Sequence, residues 1–306
     1  MSGGGDRGCV LVGILDELHE MKGGIEWEEV AGISAGALVA CMIAQTDKEN
    51  FKRVVNKLKS IFLSGGFHVV DNWVWGGQVI NLVDALMFHQ SIFQNTPMRQ
   101  LIHECFDQKD VKRPFAVGAY NKTLCRYETF RSGVDKDMRS AVMASAAVPV
   151  VLPPVTIDGY EYEDGGVRHL IPVAEIKRWI SKTKGPKHVD VMVCFPINNY
   201  KLFMQMTTPT TSFPLITAAL RSMSDIMLNQ MESDLKEIAE LVGVPYEVLV
   251  KSNCGEFTRG DLTVRIFSPA DGEFSSFINM NPESSTRMVT SGAKAVREYL
   301  TPKLKV

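Results

Sequence analysis

One five-residue turn constrains the fold of this chain more than any other stretch. Gly32-Ile33-Ser34-Ala35-Gly36 follows a short buried strand predicted at 27–31 and precedes a chargeless segment at 35–44, which predicts a buried helix after a sharp turn. A serine between small residues in such a turn presents its hydroxyl outward, as in a nucleophile elbow. At the helix N-terminus the partial positive charge also favours a developing oxyanion. The alternative is a glycine-rich turn with an ordinary serine.

A second glycine-rich stretch, Gly3-Gly4-Gly5-Asp6-Arg7-Gly8, opens the chain. Consecutive glycines let main-chain N–H groups point at a substrate with no side chain in the way. Backbone donors aimed at the oxyanion of an acyl-transfer reaction each lower the barrier by about 3 kcal/mol. We therefore expect Gly3, Gly4 and Gly5 to approach the carbonyl oxygen of a substrate.

The same glycines have a competing interpretation. Gly3-x-Gly5-x-x-Gly8, with an acidic residue (Glu26 or Glu28) further on, matches the fingerprint of dinucleotide-binding proteins. That fingerprint requires a strand directly before the glycines, whereas only Met1 and Ser2 precede them. The hydrolase interpretation needs the same strand, so we expect a first strand that is cut short.

The base that activates Ser34 is the next question, because a serine hydroxyl is a weak nucleophile on its own. Asp164-Gly165-Gly166 follows a hairpin predicted at 155–163, and Asp164 is the candidate. An aspartate has an unperturbed pKa of about 3.9, so this role requires an apolar pocket that raises it. His169 and His188 are the alternatives in a Ser…Asp…His order, although a structural role is the simpler interpretation of each. A plain Asp-Gly turn is likewise the simple interpretation of Asp164.

Composition bounds the class of protein. The chain has 306 residues, 45% of them hydrophobic, and a formal net charge of −2, so it has no broad basic field for nucleic acid. Its six cysteines include no Cys-x-x-Cys pair, which argues against structural zinc and favours buried free thiols. The chargeless stretch at 30–46 is too polar for a membrane span. With no signal peptide in view, we expect an intracellular protein, cytoplasmic or peripheral at membranes.

The remaining pattern predicts an α/β fold in one domain. Apolar spacing predicts helices at 10–21, 51–63, 213–242 and 282–300, and a helix start at Asn95-Thr96-Pro97. Short apolar runs predict paired strands at 115–120 and 124–130 and further strands at 188–195 and 262–267, and Asp158-Gly159 predicts the turn of the hairpin. Helices that alternate with short apolar strands imply a sheet covered on both faces.

Four blocks in this order resemble the patatin-like phospholipase family. They are a glycine loop (Gly3–Gly8), a Gly-x-Ser-x-Gly nucleophile (Gly32–Gly36), an Ala-Ser-x-Ala-x-Pro block (144–149) followed by two prolines (153–154), and an Asp-Gly-Gly motif (Asp164–Gly166). The resemblance implies a central, mostly parallel sheet flanked by helices. The four blocks span residues 3–166, and we expect residues 167–306 to complete the same domain.

The resemblance also implies a Ser–Asp dyad without a third member. Ser34 is then the nucleophile and Asp164 its base, and the oxyanion hole is built from Gly3, Gly4, Gly5 and the Arg7 backbone. The motif glycines are Gly8, Gly32, Gly36, Gly165 and Gly166. No metal or other cofactor is implied. The implied partners are a phospholipid or other acyl lipid as substrate and transient contact with a membrane surface, with no nucleic acid.

Alternatives remain open at this point. The same dyad serves a soluble esterase or acyltransferase, and the chain is otherwise a non-hydrolytic nucleotide- or lipid-binding protein. Two tryptophans at 67–77 suggest an interfacial or lid segment, and Met223, Met227 and Met231 an acyl-chain groove. Packing on the core is the simpler interpretation of both.

Overall fold

A computed structural model describes residues 1–22, 26–63, 95–199, 214–269 and 282–301. These residues contain nine α-helices and eight β-strands. The helices are α1 Gly8–Lys22, α2 Ala35–Ala44, α3 Phe51–Leu63, α4 Thr96–Cys105, α5 Met138–Ser145, α6 Val173–Lys182, α7 Pro214–Val242, α8 Tyr246–Leu249 and α9 Pro282–Leu300.

The strands form two sheets. The first contains β1 Val30–Gly32, β2 Phe115–Asn121, β3 Arg126–Arg131, β4 Val155–Ile157 and β5 Tyr160–Asp164, in the order β1-β2-β5-β4 with β3 also paired to β2. The second has the order β6-β8-β7, where β6 is Lys187–Met192, β7 Cys254–Arg259 and β8 Leu262–Phe267.

The predicted α/β class with flanking helices is confirmed, but the prediction of a mostly parallel sheet is wrong. Among the described strands, only the β1–β2 and β6–β8 pairs are parallel. The other pairs are antiparallel. Three of these antiparallel pairs are sequence neighbours joined by short connections, which cannot produce a parallel pair. One such connection is the predicted Asp158-Gly159 turn, where φ is positive at both residues.

Met1 and Ser2 lie between the two sheets. The amino group of Met1 donates to the Ala31 carbonyl at 2.8 Å, and the Ile33 N–H donates to the Met1 carbonyl at 3.3 Å. On the other side, the Ser2 N–H donates to the Met192 carbonyl at 2.9 Å. These two residues thus hold the position of a strand between β1 and β6. The expected truncation of that strand stays a prediction.

The helices cover the sheets according to their sequence pattern. All ten residues of the chargeless helix α2 are buried, and this helix packs on β1 and β2. Helix α3 buries only the face formed by Phe51, Val55, Leu58 and Phe62, as an amphipathic helix does. No helix within the described ranges is both long enough and apolar enough to cross a membrane.

Helices α1 and α9 pack against each other with their backbones in close contact. A Cβ added to Gly292 would lie 2.3 Å from the Val10 carbonyl oxygen, and a Cβ added to Gly13 would lie 2.0 Å from the Val289 carbonyl oxygen. Arg297 of α9 also donates to both carboxylate oxygens of Glu17 in α1, at 2.9 and 2.7 Å.

Gly292→Ala is expected to lower the free energy of unfolding by about 2 kcal/mol, because the new methyl group overlaps a backbone carbonyl. The gain in helix propensity, up to about 1 kcal/mol, opposes this loss without cancelling it. Urea unfolding checks the value. The control is Lys294→Ala at an exposed position of the same helix, for which a change within about 0.5 kcal/mol is expected. Equal effects of the two substitutions would contradict the close packing of α1 and α9.

Candidate active site

Ser34 lies in the turn between β1 and α2, with a backbone conformation that is rare for a non-glycine residue. Its φ and ψ are 56° and −125°, a strain of about 1–3 kcal/mol that persists only where the surroundings enforce it. Glycine at position 32 is required, because a Cβ there would lie 2.0 Å from the Gly36 carbonyl oxygen. The turn therefore has the tight strand–helix form that the sequence predicted.

Asp164 lies close to the serine turn because β5, which ends at Asp164, runs along β2 in the opposite direction to β1. β1 pairs with Phe115–Val117 of β2 and runs parallel to it. β5 pairs with Ala119–Asn121 and runs antiparallel. Since β3 covers one edge of β2 along its length, β1 and β5 share the other edge, and their C-terminal ends meet beside Gly118. Ser34 follows one of these ends and Asp164 is the last residue of the other.

The Asp164 carboxyl group is fully buried. Its Oδ1 atom accepts a hydrogen bond from the Gly166 N–H at 2.7 Å. Burial raises the pKa of Asp164 to about 7, against the opposing effects of the Ser34 side chain and the Gly166 N–H. The Oδ2 atom has no hydrogen-bond partner among the described residues. The Ser34 side chain is therefore a hydrogen-bonding neighbour of the Asp164 carboxyl group, whose Oδ2 atom stays without a partner in the described part of the chain.

A buried hydroxyl links the serine turn to the central strand. Ser145, the last residue of α5, accepts a hydrogen bond from the Ser34 N–H at 3.0 Å. It donates in turn to the Gly118 carbonyl at 2.6 Å. A Cβ on Gly165 would lie 2.4 Å from that same carbonyl oxygen, so the Asp-Gly-Gly segment packs directly against it. The sequence analysis placed Ser145 in a motif but assigned it no role.

The glycine loop runs beside Ser34, since a Cβ on Gly3 would lie 3.1 Å from the Ser34 Cβ. Two of its N–H groups are already used. The Gly3 N–H donates to the Leu170 carbonyl at 2.9 Å, and the Arg7 N–H donates to the Gly4 carbonyl at 3.1 Å. The N–H groups of Gly4 and Gly5 have no acceptor among the described residues.

Two buried ionisable side chains support this loop. The Arg7 guanidinium lies over the ring of Phe195, 5.1 Å from its centroid. Burial raises the pKa of Asp6 to about 8, and the charge of Arg7 opposes this shift. Burial of the Asp6 side chain therefore favours its neutral form within the loop.

The match to known proteins decides the family. The family model for patatin-like phospholipases matches residues 1–176, more than half of the chain. The chain belongs to the patatin-like phospholipase family. Among solved structures, that of VipD from Legionella pneumophila is similar at 15% sequence identity with a TM-score of 0.44. The alignment covers 98% of this chain and 66% of the VipD chain, so the present chain spans less than two thirds of that protein.

The two histidines that were alternatives to Asp164 as the base have other surroundings in this family member. Neither one hydrogen-bonds to Ser34 within the described ranges. His169 Nδ1 lies 2.7 Å from Asp234 Oδ1. His188 is exposed on β6 and lines a cavity of about 390 Å³ between β1 and β6, together with Glu26 and Glu28.

The structure also brings together three potential metal ligands that the sequence analysis did not connect. The ligand atoms of His169, Asp234 and Glu237 lie within 4.8 Å of one another. Each of these side chains already has a protein partner, since Asp234 pairs with His169 and Glu237 with Lys177 at 2.6 Å. Their separation along the chain gave the sequence analysis no signal.

The sequence suggested two lipid-contacting features, the aromatic segment at 67–77 and three methionines of α7, and the structure describes only the second. The aromatic segment at 67–77 lies outside the described residues. Met223, Met227 and Met231 are buried in α7, and the Met227 Cε atom lies 3.1 Å from where a Cβ on Gly166 would be. One of these methionines therefore packs against the Asp-Gly-Gly segment. The groove itself stays a prediction.

Ser145→Ala is expected to destabilise the protein by about 2 kcal/mol, because the Ser34 N–H and the Gly118 carbonyl both lose a buried partner. Urea unfolding measures this change. Ser181→Ala is the matched control, since its hydroxyl bonds to a carbonyl of its own helix in an exposed setting, and it is expected to stay within about 0.5 kcal/mol of the parent. A Ser145→Ala protein as stable as this control would show that the link contributes nothing.

Proposed function

We propose that this chain is a phospholipase A-type lipid acyl hydrolase with Ser34 as nucleophile and Asp164 as general base. The observation that carries the proposal is the meeting of β1 and β5, which puts a strained serine beside a buried carboxyl group whose pKa is raised to about 7. A base with a pKa near the working pH is the most effective one. Family membership supports lipid acyl hydrolysis in general.

The first half-reaction makes an acyl-enzyme. Ser34 Oγ attacks the ester carbonyl carbon while its proton passes to Asp164 Oδ2, the buried oxygen that lacks a partner among the described residues. The carbonyl oxygen becomes an oxyanion. We assign its donors to the N–H groups of Gly4 and Gly5, because those of Gly3 and Arg7 already donate to carbonyls. Collapse of this intermediate expels the alcohol, which takes the proton back from Asp164.

The second half-reaction releases the fatty acid. Water attacks the acyl-serine and gives its proton to Asp164, and the same glycine N–H groups hold the new oxyanion. Collapse returns the proton to Ser34 Oγ and frees the carboxylic acid. In this scheme Gly3 shapes the loop through its bond to Leu170, and the buried Arg7 side chain supports it from behind.

The substrate in this proposal is a phospholipid or other acyl lipid, met by transient contact with a membrane surface. A soluble esterase or acyltransferase would use the same dyad on other esters. A nucleotide-binding or non-hydrolytic lipid-binding protein would leave Ser34 unreactive. A fluorophosphonate probe separates these classes, because only a hydrolase-type serine reacts with it.

Ser34→Ala is expected to reduce fatty acid release from labelled phosphatidylcholine vesicles to background. Asp164→Asn is expected to reduce it by about 10²–10⁴-fold, the usual contribution of a general base. The control is the double variant His169→Asn/His188→Ala, in which the asparagine amide can still donate to Asp234; it is expected to keep most of the activity. Loss of activity in the folded histidine variant alone would point to a triad. Hydrolysis of p-nitrophenyl butyrate without release from vesicles would favour the esterase alternative.

The pH dependence follows from the raised pKa of Asp164. The base must be ionised, so kcat/KM for p-nitrophenyl butyrate is expected to be level well above pH 7 and to fall about tenfold per pH unit below the pKa of about 7. Circular dichroism at each pH verifies that the protein stays folded. A midpoint near pH 4, the ordinary range of an aspartate, would contradict a role for this buried carboxyl as the base.

A further inference from the structure

One buried carboxylate outside the dyad holds the segment that follows the Asp-Gly-Gly motif. Asp234 of α7 is fully buried. Its Oδ2 atom accepts hydrogen bonds from the N–H groups of Leu170 at 2.6 Å and Ile171 at 2.8 Å. Its Oδ1 atom pairs with His169 Nδ1 at 2.7 Å. Three consecutive residues are thus fixed by a single side chain.

The segment 169–171 contacts both halves of the candidate site. At one end, the N–H groups of Arg168 and His169 donate to the Gly165 carbonyl at 3.0 and 2.9 Å. Further along, the Leu170 carbonyl accepts the Gly3 N–H at 2.9 Å. The Leu170 side chain fills the space between them, since its Cδ1 atom would lie 3.0 Å from a Cβ on Gly3 and 3.2 Å from one on Gly166.

The energetics favour a fixed arrangement. Burial raises the pKa of Asp234, and the bonds from His169, Ile171 and Leu170 oppose that shift. A buried carboxylate is costly unless its oxygens are hydrogen-bonded, and here both are. Hydrogen bonds to an ionised acceptor are roughly twice as strong as neutral ones. Since both oxygens are occupied and Glu237 pairs with Lys177, the arrangement is that of a tie between segments and not of a metal site.

We propose that Asp234 is a positioning residue for the oxyanion hole, a proposal that rests on the hydrolase function above. Its carboxylate fixes Leu170, and the Leu170 carbonyl fixes Gly3. Gly3 in turn sets where the N–H groups of Gly4 and Gly5 point relative to Ser34. The acyl hydrolase site therefore depends on α7, which lies beyond the residues 1–176 that the family model matches.

Asp234→Ala is expected to lower kcat for p-nitrophenyl butyrate by about a hundredfold with little change in KM, the effect of a displacement of about 1 Å in catalytic groups. Asp234→Asn is expected to stay within about tenfold of wild type, because an amide oxygen accepts the same two N–H bonds and its NH₂ group can donate to His169 Nδ1. If Asp234→Ala does not fold, Asp234→Glu replaces it, since the added methylene displaces the carboxylate and the same loss of kcat is expected.

Hydrogen exchange read by mass spectrometry tests the proposal independently of activity. Asp234→Ala is expected to speed exchange in residues 2–5 and 169–172 but not in α9, and Asp234→Asn to leave all three segments protected. If Asp234→Ala speeds exchange in these two segments but the wild-type protein has no hydrolase activity, the tie is supported and only the proposed hydrolase function is contradicted. Normal kcat in a folded Asp234→Ala protein with an active wild type would overturn the positioning role.

Glu237→Gln is the matched control, one turn further along α7 and without contact to Leu170 or Ile171 in the described structure. It is expected to keep wild-type kcat. Stabilisation of wild type but not of Glu237→Gln by Zn²⁺, together with loss of activity in EDTA, would overturn the proposal in favour of a metal site at His169, Asp234 and Glu237.

Discussion

The candidate site depends on how two strands share one edge of β2. β1 arrives parallel to β2 and β5 arrives antiparallel, so their C-terminal ends face each other across Gly118. Neither strand can continue, because the other occupies the rest of the edge. Both strands must therefore end in a turn at the same point of this edge. These two turns are the serine turn after β1 and the Asp-Gly-Gly turn after β5. The Ser145 hydroxyl donates to the Gly118 carbonyl at this junction.

Burial at this junction determines the chemistry that is available. An aspartate is a poor base at neutral pH unless an apolar pocket raises its pKa. The junction supplies such a pocket, because Asp164 lies in the interior between the end of β5 and the helices behind it. Burial likewise raises the pKa of Asp6 in the glycine loop. At both positions the loss of solvent around the charged form is the main cause of the shift.

Much of the fold was predictable because it depends on local pattern. The periodicity of α1, the chargeless helix α2 and the Asp158-Gly159 hairpin were all visible in the sequence and are confirmed by the structure. The pairing of β2 with β3 was also predicted and is confirmed. The direction of the sheet as a whole was not, because the family expectation of a mostly parallel sheet carried no information on how many neighbouring strands are joined by short connections. β7 was missed altogether, since Cys254–Arg259 carries two charged residues in six and lies at the edge of its sheet.

The residues of the candidate site also fall into two groups, those that the sequence revealed and those that only the structure revealed. Ser34, Asp164 and the glycine loop sit in short motifs, because each needs small neighbours at fixed spacing, and a motif is visible without a structure. Ser145 and Asp234 each make two hydrogen bonds to main-chain groups, which leave no pattern around them in the sequence. Asp234 lies 70 residues beyond Asp164 along the chain. It comes close to the segment that follows Asp164 only because α7 packs on the turn after β5. Candidates for a nucleophile and a base are therefore visible in short motifs, whereas the side chains that tie their segments together become visible only when distant elements are placed in contact.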